Sequence, residues 1–259
     1  MGPERRSQFL GSPGPHVFAH RGLSLEAPEN TLLSFLKALS GGATHLETDV
    51  QVTLDGVAVV CHDADLERLT GRTVRVDRLT MAELRRIDLG KGQSFVSLAE
   101  ALDAFPEARF NIDVKATGAS EPTAYAVLQA GATWRVLITS FSEDRRSRTT
   151  RLLPGVATSA SGSVFLQAWL ASRLGLTGWA RRIMRGFAAV QVPERYWRIR
   201  VVTPRLIRAM HGIGVEVHVW TVNDPVTMRR LLDFGVDGLI TDRCDLAVQV
   251  IAGRTLKGI

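Results

Sequence analysis

Cysteine is nearly absent from these 259 residues, with Cys61 and Cys244 the only two. So few, so far apart, they supply neither a disulfide framework nor the paired spacing of a zinc site. Cys61 is expected to be a small apolar residue within its strand. Long apolar runs are missing too, so no segment is predicted to span a bilayer. Residues 1–15 lack the apolar core of a signal peptide, and their Gly, Pro and Ser content predicts a disordered leader. A single domain over residues 16–259, in a cytoplasmic protein, is the resulting expectation. Lysine is scarce as well: four stand among 32 basic residues. The net charge of +6 is thus carried by arginine, which suits phosphorylated substrates, membrane headgroups or nucleic acid. No nucleic-acid motif and no basic strand interleaved with aromatics accompany it, so nucleic acid is not expected as a partner.

Apolar runs alternate with helical patterns along the chain, as βα units around a parallel sheet would. Eight strands are predicted, beginning near His16, His45, Arg109, Arg135, Val156, Ala188, Glu216 and Asp237. The first helix, Asn30 to Ser40, has Asn30 or Thr31 as its cap and Gly41 at its exit. The stretch from Asp55 to Leu98 is an insertion in the second unit. Gly162 to Phe187 is a long helical segment, interrupted at Gly175 and Gly178. No glycine-rich dinucleotide loop follows the first strand, which disfavours a doubly wound sheet. The expected fold is a (β/α)8 TIM barrel, an α/β architecture that typically takes about 250 residues.

The densest chemistry lies between His45 and Asp63. Two extended runs meet there at the turn signal Asp55-Gly56. Side chains alternate along a strand, so His45, Glu47, Asp49 and Gln51 share one face. In the third strand the same parity groups Asn111, Asp113 and Lys115, and in the seventh Glu216, His218 and Trp220. Pointing inward, these faces place converging charges at the C-terminal end of the barrel, where they must be paired or bind a metal. Glu47, Asp49 and Asp113 fit an oxygen-ligand site for one divalent cation, Mg²⁺ or Ca²⁺. Arg21 and Lys115 suit a phosphate, Arg21 bidentately. His20 and His62 suit general acid–base work near neutral pH.

Taken in order, H-R-G at His20, P-E-N-T at Pro28, E-T-D-V at Glu47 and H-D at His62 resemble the glycerophosphodiester phosphodiesterase family. The resemblance continues through N-I-D-V-K at Asn111, S-F at Ser140, W-T-V-N at Trp220 and G-V-D-G-L-I-T-D at Gly235. Singly each motif is weak; the ordered set is specific. It implies a TIM barrel that hydrolyses glycerophosphodiesters with a divalent cation. It assigns acid–base roles to His20 and His62, and metal ligation to Glu47, Asp49 and Asp113. It also assigns phosphate contact to Arg21 and Lys115, and substrate-pocket roles to Asn30 and Trp220. Asp113 departs from the glutamate usual in the family and is one methylene shorter.

A lysophospholipase D working at a membrane surface is the alternative reading, and a retired phosphate-binding barrel a more distant one. Peripheral contact with an anionic membrane would come from the second half of the long segment. There Leu176, Trp179, Ala180, Ile183, Met184 and Phe187 form a helical stripe flanked by Arg181, Arg182 and Arg185. Packing of that stripe on the barrel wall is the competing expectation. His16 and His45 lie deeper on the inward face and are expected to pack, while His218 is undecided between pocket and core. His211 is expected at a helix end. Asp242 is expected to serve as a helix entry.

Overall fold

The computed structural model describes residues 8–11 and 14–255. Its centre is eight strands: β1 (His16–His20), β2 (His45–Val52), β3 (Phe110–Val114), β4 (Val136–Thr139), β5 (Ala157–Ala160), β6 (Ala189–Pro193), β7 (Glu216–Trp220) and β8 (Gly238–Thr241). Consecutive strands pair in parallel, and β8 returns to β1 with His16 beside Gly238 and Phe18 beside Ile240. The sheet closes into the expected barrel and leaves no edge among these eight. The helices that follow them are α1 (Leu32–Ser40), α2 (Leu98–Ala104), α3 (Ser120–Gln129), α4 (Glu143–Arg151), α5 (Gly162–Arg173), α6 (Pro204–Gly212), α7 (Pro225–Asp233) and α8 (Cys244–Thr255).

Local signals explain most boundaries. Thr31, not Asn30, caps α1 through a capping box with Ser34, and Ser97 does the same for α2 with Glu100, satisfying otherwise orphaned N–H groups. Proline in the first turn, behind a Thr203 or Asp224 cap, starts α6 and α7. The buried Arg135 guanidinium donates to the carbonyls of Leu102, Phe105 and Ala108, closing the end of α2. Leu46, Val50, Ile112, Val114, Val217 and Val219 face outward into the main core under the helices. Their neighbours in sequence therefore face the barrel interior, as the alternation predicted.

The insertion after β2 begins as foreseen. The strand Ala58–Val60 runs back antiparallel along β2, with Val60 beside Val50. It has a core of its own, including Val59, Leu66, Val76, Leu84 and Phe95. Cys61 is buried, just past that strand rather than inside it.

Two expectations need correction, and one element was not expected. Residues 8–10 of the supposed leader form a helical turn. Phe9 and Leu10 are buried against Phe18, Leu137, Ala188 and Ile240, an apolar pair that seals the N-terminal end of the barrel. The leader residues 1–7 and 12–13 lie outside the described residues. Gly175, at φ +76, does break the long segment, but Gly178 sits inside a second helix, Thr177–Ile183. The hairpin Arg195–Tyr196 with Ile199–Arg200 was not foreseen; its tip residue Trp197 takes φ +55 where a glycine would have signalled a turn.

Candidate active site

The C-terminal ends of β1, β2 and β3 bring the candidate groups together. His20 ends β1 and stands in register with Glu47, while Asp49 stands in register with Asp113. After His20 the chain turns sharply: Arg21 and Gly22 take φ +57 and +83. A Cβ on Gly22 would lie 2.4 Å from the Ser34 hydroxyl and 2.7 Å from its backbone carbon, so only glycine fits. The left-handed conformation of Arg21, uncommon for a residue with a side chain, is fixed by its N–H donating to the Glu47 carbonyl at 3.0 Å. The Ser34 hydroxyl and the Asn30 N–H in turn both donate to the Arg21 carbonyl.

The carboxylates are buried, and two of them, Asp49 and Asp113, have direct cationic partners. Lys115 Nζ lies 2.9 Å from Asp49 and 2.6 Å from Asp113. Arg21 Nε lies 3.2 Å from Asp49 Oδ2, and Arg21 Nη1 donates to Glu29 at 3.1 Å. Burial would raise Asp49, but Lys115 and Arg21 together hold it below the ordinary aspartate value. Asp113 goes the other way: burial raises it, and Lys115 alone does not overcome that and the repulsion from Asp49. Glu47 has neither cation as a direct partner. Burial and then the Asp49 charge push it up to about 8. One oxygen, Asp113 Oδ1, is buried with no hydrogen-bond partner.

Each candidate histidine leans on an aspartate. His20 Nδ1 lies 2.6 Å from Asp242 Oδ1, and its Nε2 faces Glu47 at 4.0 Å. Asp242 is itself fixed by Asn223, whose amide donates to Oδ2 at 2.6 Å. Burial alone would lower His20; Glu47 and Asp242 outweigh it and raise it. His62 Nδ1 lies 2.6 Å from Asp63 Oδ1. From Asp63 the ion pairs continue through Arg68 and Glu29 to Arg21, and from there to Asp49, Lys115 and Asp113. A proton on Nδ1, held by the aspartate, leaves Nε2 of each ring as the working nitrogen.

A cavity of about 760 Å³ lies over these groups and is lined by His20, Arg21, Glu47, Asp49, His62 and Lys115, with Asp113 and Trp220 also in its wall. Asn30 is placed differently: it is buried behind the wall, its amide 3.4 Å from Asp49 and its oxygen accepting from Thr48 at 2.8 Å. His16, His45 and His218 pack lower in the barrel, and His211 pairs with Asp237 at the end of α6. Asp242, read from the sequence as a helix entry, is instead the partner of His20. The signal was available, because barrel closure puts the end of β8 beside the end of β1.

Residues 20–246 match the sequence profile of the glycerophosphoryl diester phosphodiesterase family. The chain belongs to that family. As a member it is a phosphoric diester hydrolase. A Mycobacterium tuberculosis protein named "Probable glycerophosphodiester phosphodiesterase 2" is 44% identical over 249 residues, covering 95% of this chain and 94% of that protein. The glycerophosphodiester phosphodiesterase of Thermotoga maritima superposes with a TM-score of 0.75 at 26% identity, over 93% of this chain and 100% of its own. An Oleispira antarctica phosphodiesterase, solved with the product sn-glycerol-3-phosphate, gives 0.75 at 25% identity, over 92% and 97%.

For a glycerophosphoryl diester phosphodiesterase carrying a divalent cation, the donor set fits in its chemistry. Glu47, Asp49 and Asp113 are hard oxygen donors, one of their oxygens, Asp113 Oδ1, has no hydrogen-bond partner, and Glu47 is the carboxylate without a cationic partner. Among the described residues, however, no three acidic or imidazole groups are gathered around one point; the Lys115 ammonium stands between Asp49 and Asp113.

Proposed function

We propose that the protein hydrolyses glycerophosphodiesters to an alcohol and a glycerol phosphate, with His20 and His62 as the acid–base pair. The observation that carries this reading is the convergence, in one cavity, of two aspartate-held imidazoles with Arg21, Lys115 and a buried carboxylate trio. Arg21 and Lys115 would grip the phosphate, whose charge would replace part of what Asp49 and Asp113 now provide. The attacking oxygen, from water or from the substrate's own glycerol hydroxyl, gives its proton to one histidine. The phosphorus–oxygen bond to the departing alcohol breaks, and the other histidine supplies that oxygen with a proton. If the hydroxyl attacks, water then opens the cyclic phosphate. Asp63 and Asp242 keep both rings in the tautomer this exchange needs.

Glu47, Asp49 and Asp113 would hold one Mg²⁺ or Ca²⁺, which would neutralise phosphodiester charge and polarise its oxygens. Asn30 would fix Asp49 from behind, and Trp220 would face the departing group.

The test is a panel of glycerophosphocholine, glycerophosphoethanolamine and glycerophosphoinositol, run on chelator-treated protein and again with each cation restored. The expected result is hydrolysis of at least one ester only after the cation returns. No hydrolysis of any ester would remove the reading; full activity in the chelated protein would remove the cation from it.

A further inference from the structure

We propose that Arg68, on the insertion after β2, is a positioning residue for the reaction, its one guanidinium aiming both the His62 ring and the Arg21 side chain. The inference rests on the phosphodiesterase reading, in which His62 exchanges a proton and Arg21 grips the phosphate. Arg68, Asp63 and Glu29 all stand outside the cavity wall. Arg68 therefore acts through the two carboxylates and not on the substrate.

Local sequence fixes where Arg68 stands. In D-L-E-R-L-T-G, Asp65 accepts the Glu67 N–H at 3.1 Å, and the Thr70 hydroxyl donates to the Leu66 carbonyl at 2.9 Å. Gly71, at φ +71, ends the single helical turn Glu67–Thr70. So short a helix does not hold by itself. It is seated by Leu66, fully buried in the insertion's own core, and by Leu69 packed against that core.

From this seat three donors divide between two carboxylates. Nε donates to Asp63 Oδ2 at 2.6 Å, while Nη1 and Nη2 donate to Glu29 Oε2 and Oε1 at 3.0 and 2.6 Å. A guanidinium is planar and its donors form a rigid fork, so it locks the two carboxylates relative to each other. Each carboxylate in turn holds a group of the site. Asp63 Oδ1 lies 2.6 Å from His62 Nδ1, and Glu29 Oε1 accepts from Arg21 Nη1 at 3.1 Å. Burial would raise Asp63 and Glu29, but His62 and Arg68 hold the first, and Arg68 and Arg21 the second, below their ordinary values. Both thus stay acceptors at neutral pH.

A carboxylate held at one oxygen swivels about its last torsion, which has broad preferences, and the ring on its other oxygen swivels with it. At His20 this freedom is removed by Asn223, which holds Asp242 Oδ2 while Oδ1 holds the ring. At His62 Arg68 takes the part of Asn223. A purely stabilising role is the competing account. The Arg68 side chain is 48% exposed, however, and ion pairs so open to solvent add little to stability.

The experiment combines hydrolysis of the glycerophosphodiester panel, a melting curve and the ring ¹⁵N spectrum of His62, on the full chain and on Arg68→Gln and Arg68→Lys. His62→Ala assigns the resonances. Arg68→Gln is expected to lower kcat/KM by about 10- to 100-fold, the scale of a misplaced reacting group. Both a lower kcat and a higher KM should contribute, because one arm serves proton transfer and the other the phosphate. The melting temperature should hardly move. Arg68→Lys keeps the charge but not the fork and should recover little of the loss. The neutral His62 ring, protonated on Nδ1 in the wild type, should populate the Nε2-protonated tautomer in both variants. Near-wild-type kcat/KM in Arg68→Gln would overturn the proposal, as would full recovery with lysine, which would reduce Arg68 to its charge. Lost activity with an unmoved His62 spectrum would overturn it as well, whatever the melting curve shows. A changed spectrum in a protein whose wild type hydrolyses no ester would support the coupling to His62 and remove the phosphodiesterase reading instead.

Discussion

The barrel interior holds two buried polar layers, and they differ in how completely their groups are satisfied. In the lower layer His218 Nε2 bonds Glu216 at 3.0 Å and its Nδ1 faces the Gln191 amide at 3.4 Å. Gln191 and Asn111 bond each other through both amide groups. His45 bonds Thr44 and the Phe9 carbonyl, and Phe18 stacks on it at 4.5 Å. Gly238 makes room for this: a Cβ there would meet the His218 and Phe18 rings at 2.8 Å. In the upper layer Asp113 Oδ1 is unpartnered and Glu47 is pushed up to about 8. Buried polar residues alone therefore do not mark function. Unsatisfied ones, open to a cavity, do.

The largest effects should come from the two histidines of the upper layer. His20→Ala and His62→Ala are each expected to cut turnover by roughly 10²-fold or more, the scale of acid–base contributions, with thermal unfolding nearly unchanged. Steady-state kinetics beside a melting curve checks both halves. Turnover near wild type in either variant would take that ring out of the chemistry; a large fall in melting temperature would erase the contrast with the lower layer.

Asp242→Asn should cost less turnover than His20→Ala, because it loosens the ring without deleting it. Its signature is a shift of one limb of the pH–rate profile, measured with the cation saturating. Asp242 and Glu47 both raise His20, so removing the Asp242 charge should move the limb associated with that ring downward in pH. An unchanged profile, with unchanged kcat, would leave the pair a structural contact.

In the lower layer the expected loss is of stability. Burial would raise Glu216, but hydrogen bonds from His16 and His218 more than offset it and hold it at about 2. The folded value is therefore below the unfolded one. The stabilisation is fully present above about pH 4.5 and is lost as the pH falls towards 2, at most on the order of 3 kcal/mol. Glu216→Gln should lose part of that at neutral pH and flatten the pH dependence of chemical denaturation across this window. Turnover per folded molecule should stay at the wild-type level, and a large drop would join the two layers functionally.

Much of this contrast was legible in the sequence because both layers follow from strand parity. Glu47, Asp49, Asp113 and Lys115 could be placed together from alternation alone, and His16 and His45 placed beneath them. Alternation says nothing about partners distant in sequence, so Asp242, which lies 222 residues from His20, was read as a helix entry. Phe9 was missed because two apolar residues in a polar leader show no period; only the open end of a barrel gives them a place. The second helical half of the long segment reads as amphipathic, yet Ala180 and Met184 are buried while Trp179 is exposed, and Arg181 reaches the Gly212 carbonyl at the end of α6. The hairpin with Trp197, which does adjoin the cavity, carries no turn residue that would announce it.

The smallest expected effect is also the finest probe of the upper layer. Asp113 is held at one oxygen by Lys115 and at the other by nothing. If that second oxygen is reserved for a divalent cation, lengthening the side chain should relocate the ligand without abolishing it. Asp113→Glu is therefore expected to keep turnover within a few-fold of wild type while changing the ratio of activity with Mg²⁺ to that with Ca²⁺. The smaller cation demands tighter, near-octahedral geometry and tolerates displacement less. Cation titrations by calorimetry on both proteins supply a readout independent of turnover. An unchanged cation preference in kinetics and binding alike would mean that Asp113 serves only to anchor Lys115. Inactivity with unaltered folding would mean that the neighbouring groups have adjusted to the shorter aspartate, leaving no room for the extra methylene.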